Sequence, residues 1–344
     1  MQTPTLLLSK LLAQVAKQNA TSLHLSVGSF PLLKVDGHLQ ALDQEPIVTI
    51  DLINDLLQHF LNETERQRLQ AAKELVVVKN LDGQERFKIS IFYQKNTPTL
   101  TFYPVFGSIR PLADLGLPQS VKKFLSRQAG LLVLTGPQGS GKTSTAASII
   151  EEINQTRKVR ILTLEDPIER LFLSKKSLIE QRQIGRDTPS FTNGLIYCLE
   201  EDVDVVYVGE IKKDLDLALP PILELAAGNA LVILEFNAAD SVAAIEKMLR
   251  YLSKRLPVVS VQHALADVLF GCLAHKLVPR RGGGLALALE IMIVNSVIAS
   301  LLREGKILQI KGIIPTARKE GMRTLRQALD DLIASGKVRG EDVI

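Results

Sequence analysis

One octet constrains this chain more than any other feature: Gly136, Pro137, Gln138, Gly139, Ser140, Gly141, Lys142 and Thr143 in succession. It fits G-x-x-x-x-G-K-[ST] at every position. The apolar run LLVLT precedes it, and the helical pattern KTSTAASIIEEIN begins inside it. Glycines in such a turn let successive backbone N–H groups point inward and cradle phosphate oxygens. The amino end of the following helix favours negative charge. Lys142 brings a cation to the β and γ phosphates, and the Thr143 hydroxyl can ligate Mg²⁺. Gly136 through Ser144 are therefore assigned to nucleotide binding, with ATP and Mg²⁺ as the expected cofactors.

The surroundings of the octet predict how it is mounted. Short apolar runs at 131–135, 159–164, 203–208 and 230–234 alternate with helical patterns. Continuous apolar strands between helices predict a parallel sheet covered on both faces, an α/β architecture. Ligands bind such sheets at the carboxyl ends of the strands. Glu210 follows the run VDVVYV, and Glu165 with Asp166 ends VRILTL. Glu165 and Glu210 are thus the candidate catalytic acids, and Thr143, Glu165 and Glu210 the candidate Mg²⁺ ligands.

Upstream the pattern differs. Residues 1–18 read as an amphipathic helix, with Leu7, Leu8, Leu11, Leu12 and Val15 on one face. The same segment lacks the basic start of a signal peptide, and Lys10 interrupts its apolar stretch. SLHLSV and PLLKVDG alternate as short strands, with turns at Gly28-Ser29 and Asp36-Gly37. Asp51–Leu69 reads as one helix with Leu52, Leu56, Leu57, Phe60 and Leu61 on one side. ELVVVKN, RFKISIFYQ and TLTFYPV follow as strands, with a turn at Asp82-Gly83. We place one domain at 1–105, a turn-rich linker at 106–118 and the nucleotide-binding domain at 119–344. The latter ends in a mostly helical part from about Asn295, with turns at Gly305, Gly312 and Gly336.

Composition narrows the function classes. No uncharged apolar run reaches the roughly 18 residues of a transmembrane helix. The 2 cysteines, Cys198 and Cys272, form no Cys-x-x-Cys pair, which argues against zinc or a disulfide scaffold and for a reducing cytoplasm. The net charge is +4; residues 303–344 hold 9 basic and 6 acidic residues, and the middle section 111–302 is balanced. A nucleic-acid binder usually concentrates basic charge on one face, so no nucleic-acid partner is expected. The five histidines lack metal-ligand spacing.

With these residues in view, the chain resembles the secretion-ATPase superfamily, specifically the type IV pilus retraction ATPases of the PilT/PilU kind. The resemblance spans nearly the whole sequence. SLHLSVGSFPLLKVDGHLQAL looks like the family's opening segment, and ERFKISIFYQ like its arginine-rich strand. The run from Ile161 to Phe191 looks like its aspartate box and the stretch beyond. EDVDVVYVGE is similar to its Walker B region, and AHKLVPRRGGG and NSVIASLLREGKI to its C-terminal part. The resemblance implies a hexameric ring of subunits, each a PAS-like N-terminal domain followed by a RecA-like P-loop motor domain. It implies retraction of pilin at the cytoplasmic face of the inner membrane, beside a platform protein. Glu165 and Glu210 match the family's two catalytic acidic positions, and which of them acts on water stays open.

The departures from the family pattern are as informative. Asn237 stands at the family's histidine-box position, and Asn carries no titratable proton near neutral pH. A second family histidine is missing at ELAAGNA. A Phe-Arg pair aligns with Phe102-Tyr103, and Gln-Arg-Gly with Gln94-Lys95-Asn96. An arginine finger is worth about 10³–10⁵ in rate, so Tyr103 cannot replace one. Glu200 reverses the charge of an expected arginine, Lys212-Lys213 replaces Arg-Asp, and Val297-Ile298-Ala299-Ser300-Leu301 replaces the Ala-Ile-Arg-Asn-Leu motif. The expected function is an ATP-binding, ring-forming motor or motor accessory of pilus retraction with weakened hydrolysis, in a homo-hexamer or a mixed ring with a related ATPase. Arg86, Lys88 or Arg110 could instead compensate in a slower ATPase. The alternatives are a nucleotide-binding regulatory subunit without turnover, a RecA-like nucleic-acid motor and a loading ATPase of the assembly type. The last class commonly has an extra N-terminal domain and a four-cysteine insert, which favours the retraction branch here.

Overall fold

The alternation of the amino-terminal strands closes into an antiparallel sheet. Its elements are α1 (Pro4–Lys17), β1 (Ser22–Leu25), β2 (Leu32–Val35), β3 (His38–Ala41), α2 (Ile50–Phe60), α3 (Glu63–Ala72), β4 (Glu74–Leu81), β5 (Glu85–Gln94) and β6 (Thr97–Val105). The 6 strands run in the order β3-β2-β1-β6-β5-β4. The computed structural model describes residues 3–81, 85–105, 109–115 and 119–343. It divides into two compact units, Met1–Ser108 with Gly282–Gly284, and Ile109–Arg281 with Leu285–Ile344. The expected turn at Asp82-Gly83 lies outside the described residues.

In the first unit, the α1 stripe Leu7, Leu8, Leu11, Leu12 and Val15 is buried. It shares one core with Ile53 and Leu56 of α2 and with Leu23, Ile89, Ile91 and Phe102 of the sheet. Phe60 meets Phe102 edge to face at 6.1 Å. The single helix expected over Asp51–Leu69 is in fact two. Leu61 leaves helical backbone, and Asn62 with Glu65 forms a capping box that starts a new helix. The Asn62 side chain satisfies an N–H that the new helix cannot pair, and the Glu65 side chain returns the favour.

The second unit contains a 3₁₀ turn at Leu112–Leu115, then α4 (Gln119–Leu125), β7 (Gly130–Thr135), α5 (Lys142–Thr156), β8 (Arg160–Glu165), β9 (Leu178–Gln183), α6 (Phe191–Glu200), β10 (Val205–Val208), α7 (Leu215–Ala227), β11 (Leu231–Phe236), α8 (Ser241–Leu252), α9 (Val258–Val268), β12 (Leu269–Pro279), β13 (Leu285–Ile293), α10 (Ser296–Arg303), α11 (Ile310–Ile313) and α12 (Leu325–Ala334). Its 7 strands run in the order β13-β12-β7-β11-β10-β8-β9. All neighbours are parallel except β12 and β13. The apolar-run pattern anticipates β7, β8, β10 and β11 but not β9, β12 or β13. The polar edge strand β9 buries none of its residues fully, so it shows no apolar run. Gly312 lies inside α11 rather than in a turn. Its propensity cost of about 1 kcal/mol is outweighed by the burial of Ile310 and Ile314 on the same segment.

The continuous apolar runs are explained by burial on both sides. One face carries Leu132, Leu134, Ile161, Val205, Tyr207 and Ile233, packed on Ile149, Ile150 and Ile153 of α5. The other carries Val133, Leu162, Leu164, Val206, Val232 and Leu234, packed on residues of α6, α7 and α8. The carboxyl-terminal basic excess is largely paired within the unit. Arg303 meets Asp267, Lys306 meets Glu304, Lys311 meets Asp240, Arg326 meets Asp330, and Arg318 and Arg323 share Asp331. Exposed pairs of this kind contribute about 0–1 kcal/mol each, so they describe a solvated surface rather than a source of stability. Among the described residues no helix is long and apolar enough to cross a membrane.

Candidate nucleotide site

The loop between β7 and α5 folds as the glycine spacing requires. Gly136, Gly139 and Gly141 have φ of 145°, 75° and 96°, a region costly for residues with a Cβ. At Gly136 a Cβ would also stand 2.5 Å from Ser140 Oγ and 2.7 Å from the His275 carbonyl oxygen. Glycine is therefore required there by space as well as by backbone. Lys142 opens α5 and is 4% exposed. Its Nζ donates to the carbonyls of Gly136 at 2.9 Å and Pro137 at 3.0 Å, and pairs with Glu210 Oε2 at 3.3 Å. Those acceptors match the three N–H donors of an ammonium group, which is how a buried charge is accommodated.

Sheet alternation sets which side chains reach the loop. In register, Thr163, Tyr207 and Ile233 stand side by side on β8, β10 and β11. They share the α5 face, and two residues further along lie Glu165 on β8 and Glu235 on β11. Glu235 is 4% exposed. Its Oε1 accepts from the Tyr207 hydroxyl at 2.7 Å and its Oε2 from the Thr143 hydroxyl at 3.2 Å. Burial pushes its carboxyl up to about 7 against the opposing effects of the Tyr207 hydrogen bond and the Lys142 charge. Glu165 is also buried, and its Oε1 accepts from Thr163 at 2.7 Å and from Gln181 Nε2 at 3.1 Å. Burial likewise raises it to about 7. Glu210 lies beyond β10 and is more open. Its Oε1 accepts from Asn237 Nδ2 at 3.2 Å, while the Asn237 carbonyl accepts from Lys247.

The predicted residues are thus only partly gathered. Lys142 and Glu210 are joined directly. Thr143 is joined to Glu235 instead of either predicted acid, and Glu165 is held from β8 and β9. The sequence reading missed Glu235, Tyr207 and Gln181. A glutamate between Leu234 and Phe236, inside an otherwise apolar strand, was the available signal. His275, one of the histidines without metal-ligand spacing, lies on β12 and is buried in the core. Its Nδ1 lies 3.0 Å from both the Thr135 and Leu273 carbonyls, and burial lowers it to about 4.

The residues present fit a nucleotide and a hard cation. Ser140 Oγ is buried without a partner among the described residues. The site of a Cβ on Gly139 is open space, so the backbone there is accessible to a ligand. The donors near Thr143 are hydroxyl and carboxylate oxygens, the ligand type Mg²⁺ prefers. Among the described residues no three His, Cys, Asp or Glu side chains form a cation cage. Mg²⁺ is ordinarily held by one or two side chains plus phosphates and water, and needs no such cage.

A parallel sheet with this loop at a central strand, and acids at neighbouring strand ends, defines a P-loop nucleotide-binding protein. Residues 114–282 match the family described as "Type II/IV secretion system protein". The type IV pilus retraction ATPase PilT of Pseudomonas aeruginosa is 31% identical over 97% of this chain and 96% of its own length. The type IV pilus ATPase PilU of the same organism is 26% identical over 97% of this chain and 87% of its own. The crystal structure of the pilus retraction motor PilT with bound ADP superposes with a TM-score of 0.82 at 32% identity, covering 97% of this chain and 95% of that one. The chain belongs to the family of PilT/PilU-like type IV pilus retraction ATPases.

Proposed function

We propose that this chain binds ATP with Mg²⁺ through Gly136–Ser144 and hydrolyses it slowly, as a ring-forming motor subunit or accessory in type IV pilus retraction. The observation that carries the reading is the Lys142–Glu210–Asn237 arrangement at the mouth of the phosphate loop. Lys142 and Thr143 hold phosphate and metal. Glu210, the more exposed acid, is the candidate to orient the attacking water, and Glu165 supports the metal side. Asn237 binds Glu210 in the place where the family has a histidine. It orients the carboxylate but does not exchange a proton with it near neutral pH. That difference supports attenuated turnover.

The ring is a homo-hexamer or is shared with a related retraction ATPase. It works at the cytoplasmic side of the inner membrane, against the pilus platform protein. Residues 1–105 serve as a PAS-like domain, 106–118 as the linking segment, and 119–344 as the RecA-like motor. One observation favours a second reading, a slower but self-sufficient ATPase. Lys88 sits across from Tyr103 on the paired strands β5 and β6, with its ammonium 5.9 Å from the ring centre. A cation therefore stands beside the residue that replaces an expected arginine.

An ATPase assay of the purified protein, alone and mixed with a complete retraction motor, tests both readings. The first expects low turnover alone and a changed rate for the mixture. Turnover at an ordinary motor rate, abolished by Glu210→Ala, would sink the attenuated version. Loss of the residual rate in Lys88→Ala selects the second reading. Absence of ATP binding overturns both.

A further inference from the structure

Glu235 is a buried carboxylate placed against the phosphate loop's own hydroxyl. We propose that Glu235 is a positioning residue that aims the Thr143 hydroxyl at the cation accompanying ATP. The proposal rests on the ATP–Mg²⁺ reading above and adds a residue that this reading does not use.

The argument is one of proton direction. A hydroxyl can give a lone pair to a cation only if its O–H points elsewhere. At the start of α5, Thr143 Oγ1 donates to Glu235 Oε2 at 3.2 Å. Its proton is thereby directed into the sheet and its lone pairs away from it. The carboxylate cannot swing off this task, because Tyr207 donates to its other oxygen at 2.7 Å. Tyr207 is itself 3% exposed, in the middle of the sheet. The order of donation runs from Tyr207 to Glu235 and from Thr143 to Glu235. Both hydroxyls are donors, so the central group must accept twice. A carboxylate does this; an amide of the same shape accepts on one side only and presents N–H on the other. In the amide, either Tyr207 or Thr143 must turn its proton away. If Thr143 turns, its proton faces the cation.

The geometry also separates Glu235 from the two acids the motif predicts. Glu210 is engaged by Lys142 and Asn237, and Glu165 by Thr163 and Gln181. Only Glu235 accepts a hydrogen bond from Thr143 among the described residues. Polar partners that orient a metal ligand from behind typically change metal affinity about 10–100-fold when lost.

The test is a double-mutant cycle on metal binding rather than on turnover. A fluorescent ATP analogue measures nucleotide affinity in EDTA, and Mn²⁺ titrated into the complex is followed by electron paramagnetic resonance. Glu235→Gln is expected to leave the metal-free nucleotide affinity unchanged and to weaken Mn²⁺ binding about tenfold. Thr143→Val removes the hydroxyl at nearly constant shape and weakens Mn²⁺ binding by itself. In that background Glu235→Gln should have no further effect, since its action passes through the lost hydroxyl. Glu235→Met, which has no oxygen acceptor in any orientation, removes the alternative in which the Gln oxygen still faces Thr143. Full additivity of the two losses, or unchanged Mn²⁺ affinity in both Glu235→Gln and Glu235→Met, overturns the proposal. Tyr207→Phe, which removes only the second anchor, keeps the test open if Glu235→Gln does not fold. It should weaken Mn²⁺ binding by about two- to tenfold, the range one hydrogen bond supplies, and no change in it counts against the proposal. Failure of the wild type to bind the ATP analogue overturns the ATP reading instead.

Discussion

The two sheets of this protein differ in how they are buried, the first on alternating positions and the second along continuous apolar strands, and they distribute polar groups differently. In the antiparallel sheet of the first unit, successive strand ends point in opposite directions. Its polar contacts stay between neighbouring strands: the part-buried His24 of β1 bonds to Ser22 on its own strand and to Thr101 on β6. In the second unit β7, β8, β10 and β11 are parallel, so their carboxyl ends fall on one edge. Thr143, Glu165, Glu210, Glu235 and Asn237 come from segments far apart in sequence and reach that edge together. Parallel pairing converts separate strand-end residues into one site, as open α/β sheets generally do. The first sheet is a packed scaffold carrying half-buried cations such as Lys88.

Substitutions that break this contrast differ in scale. Lys142→Ala removes the charge from the loop and should reduce ATP affinity about 100-fold, as expected for losing charge-assisted hydrogen bonds worth about 1.5–3 kcal/mol each. Equilibrium binding of a fluorescent ATP analogue measures it, and an unchanged affinity would place the nucleotide elsewhere. Glu210→Gln should lower kcat on the order of 10²–10⁴-fold, the range for a positioned general base. ATP affinity should hold within a fewfold, and a matched fall in both would assign Glu210 to binding.

On the scaffold side, Phe102 is 0% exposed. Phe102→Ala should cost about 3–5 kcal/mol in the first unit. Calorimetry should then resolve an early transition that ATP does not shift, while the second unit keeps its ligand-stabilised one. A single ATP-dependent transition at all conditions would contradict independent cores. The smallest effect concerns His275. Burial holds it near 4, whereas an unfolded histidine titrates near 6.5. Between those values the unfolded chain binds the extra proton, so stability falls as pH drops through 6.5 towards 4. The loss by pH 4.5 is about 2–3 kcal/mol. The wild type should therefore lose more stability than His275→Asn between pH 7.5 and 4.5 in denaturant titrations. Parallel curves for the two proteins would show that His275 titrates normally.

Local residues made much of this legible. Glycine spacing, a following helix and a preceding apolar run specified the phosphate loop, because each requirement acts within about ten residues. The buried α1 stripe and the short apolar strands were legible for the same reason. The break after Phe60 was written as well, in Asn62 and Glu65, but an uninterrupted leucine pattern concealed it. Strand β9 was hidden because an edge strand needs no apolar run. Glu235 was hidden more deeply. Its role depends on which strands lie next to β11, and on the register that sets Tyr207 beside Ile233.

By itself, then, the amino-acid sequence determined the loop, the motif acids and the α/β class, since these follow from backbone freedom, charge and periodicity along a short stretch. Only the tertiary structure decided which acid meets which group. Glu210 went to Lys142, Glu235 to Thr143, and Glu165 to Gln181. The physical reason is that hydrogen bonds act over about 3 Å. Strand order and register bring residues 92 positions apart, such as Thr143 and Glu235, within that distance.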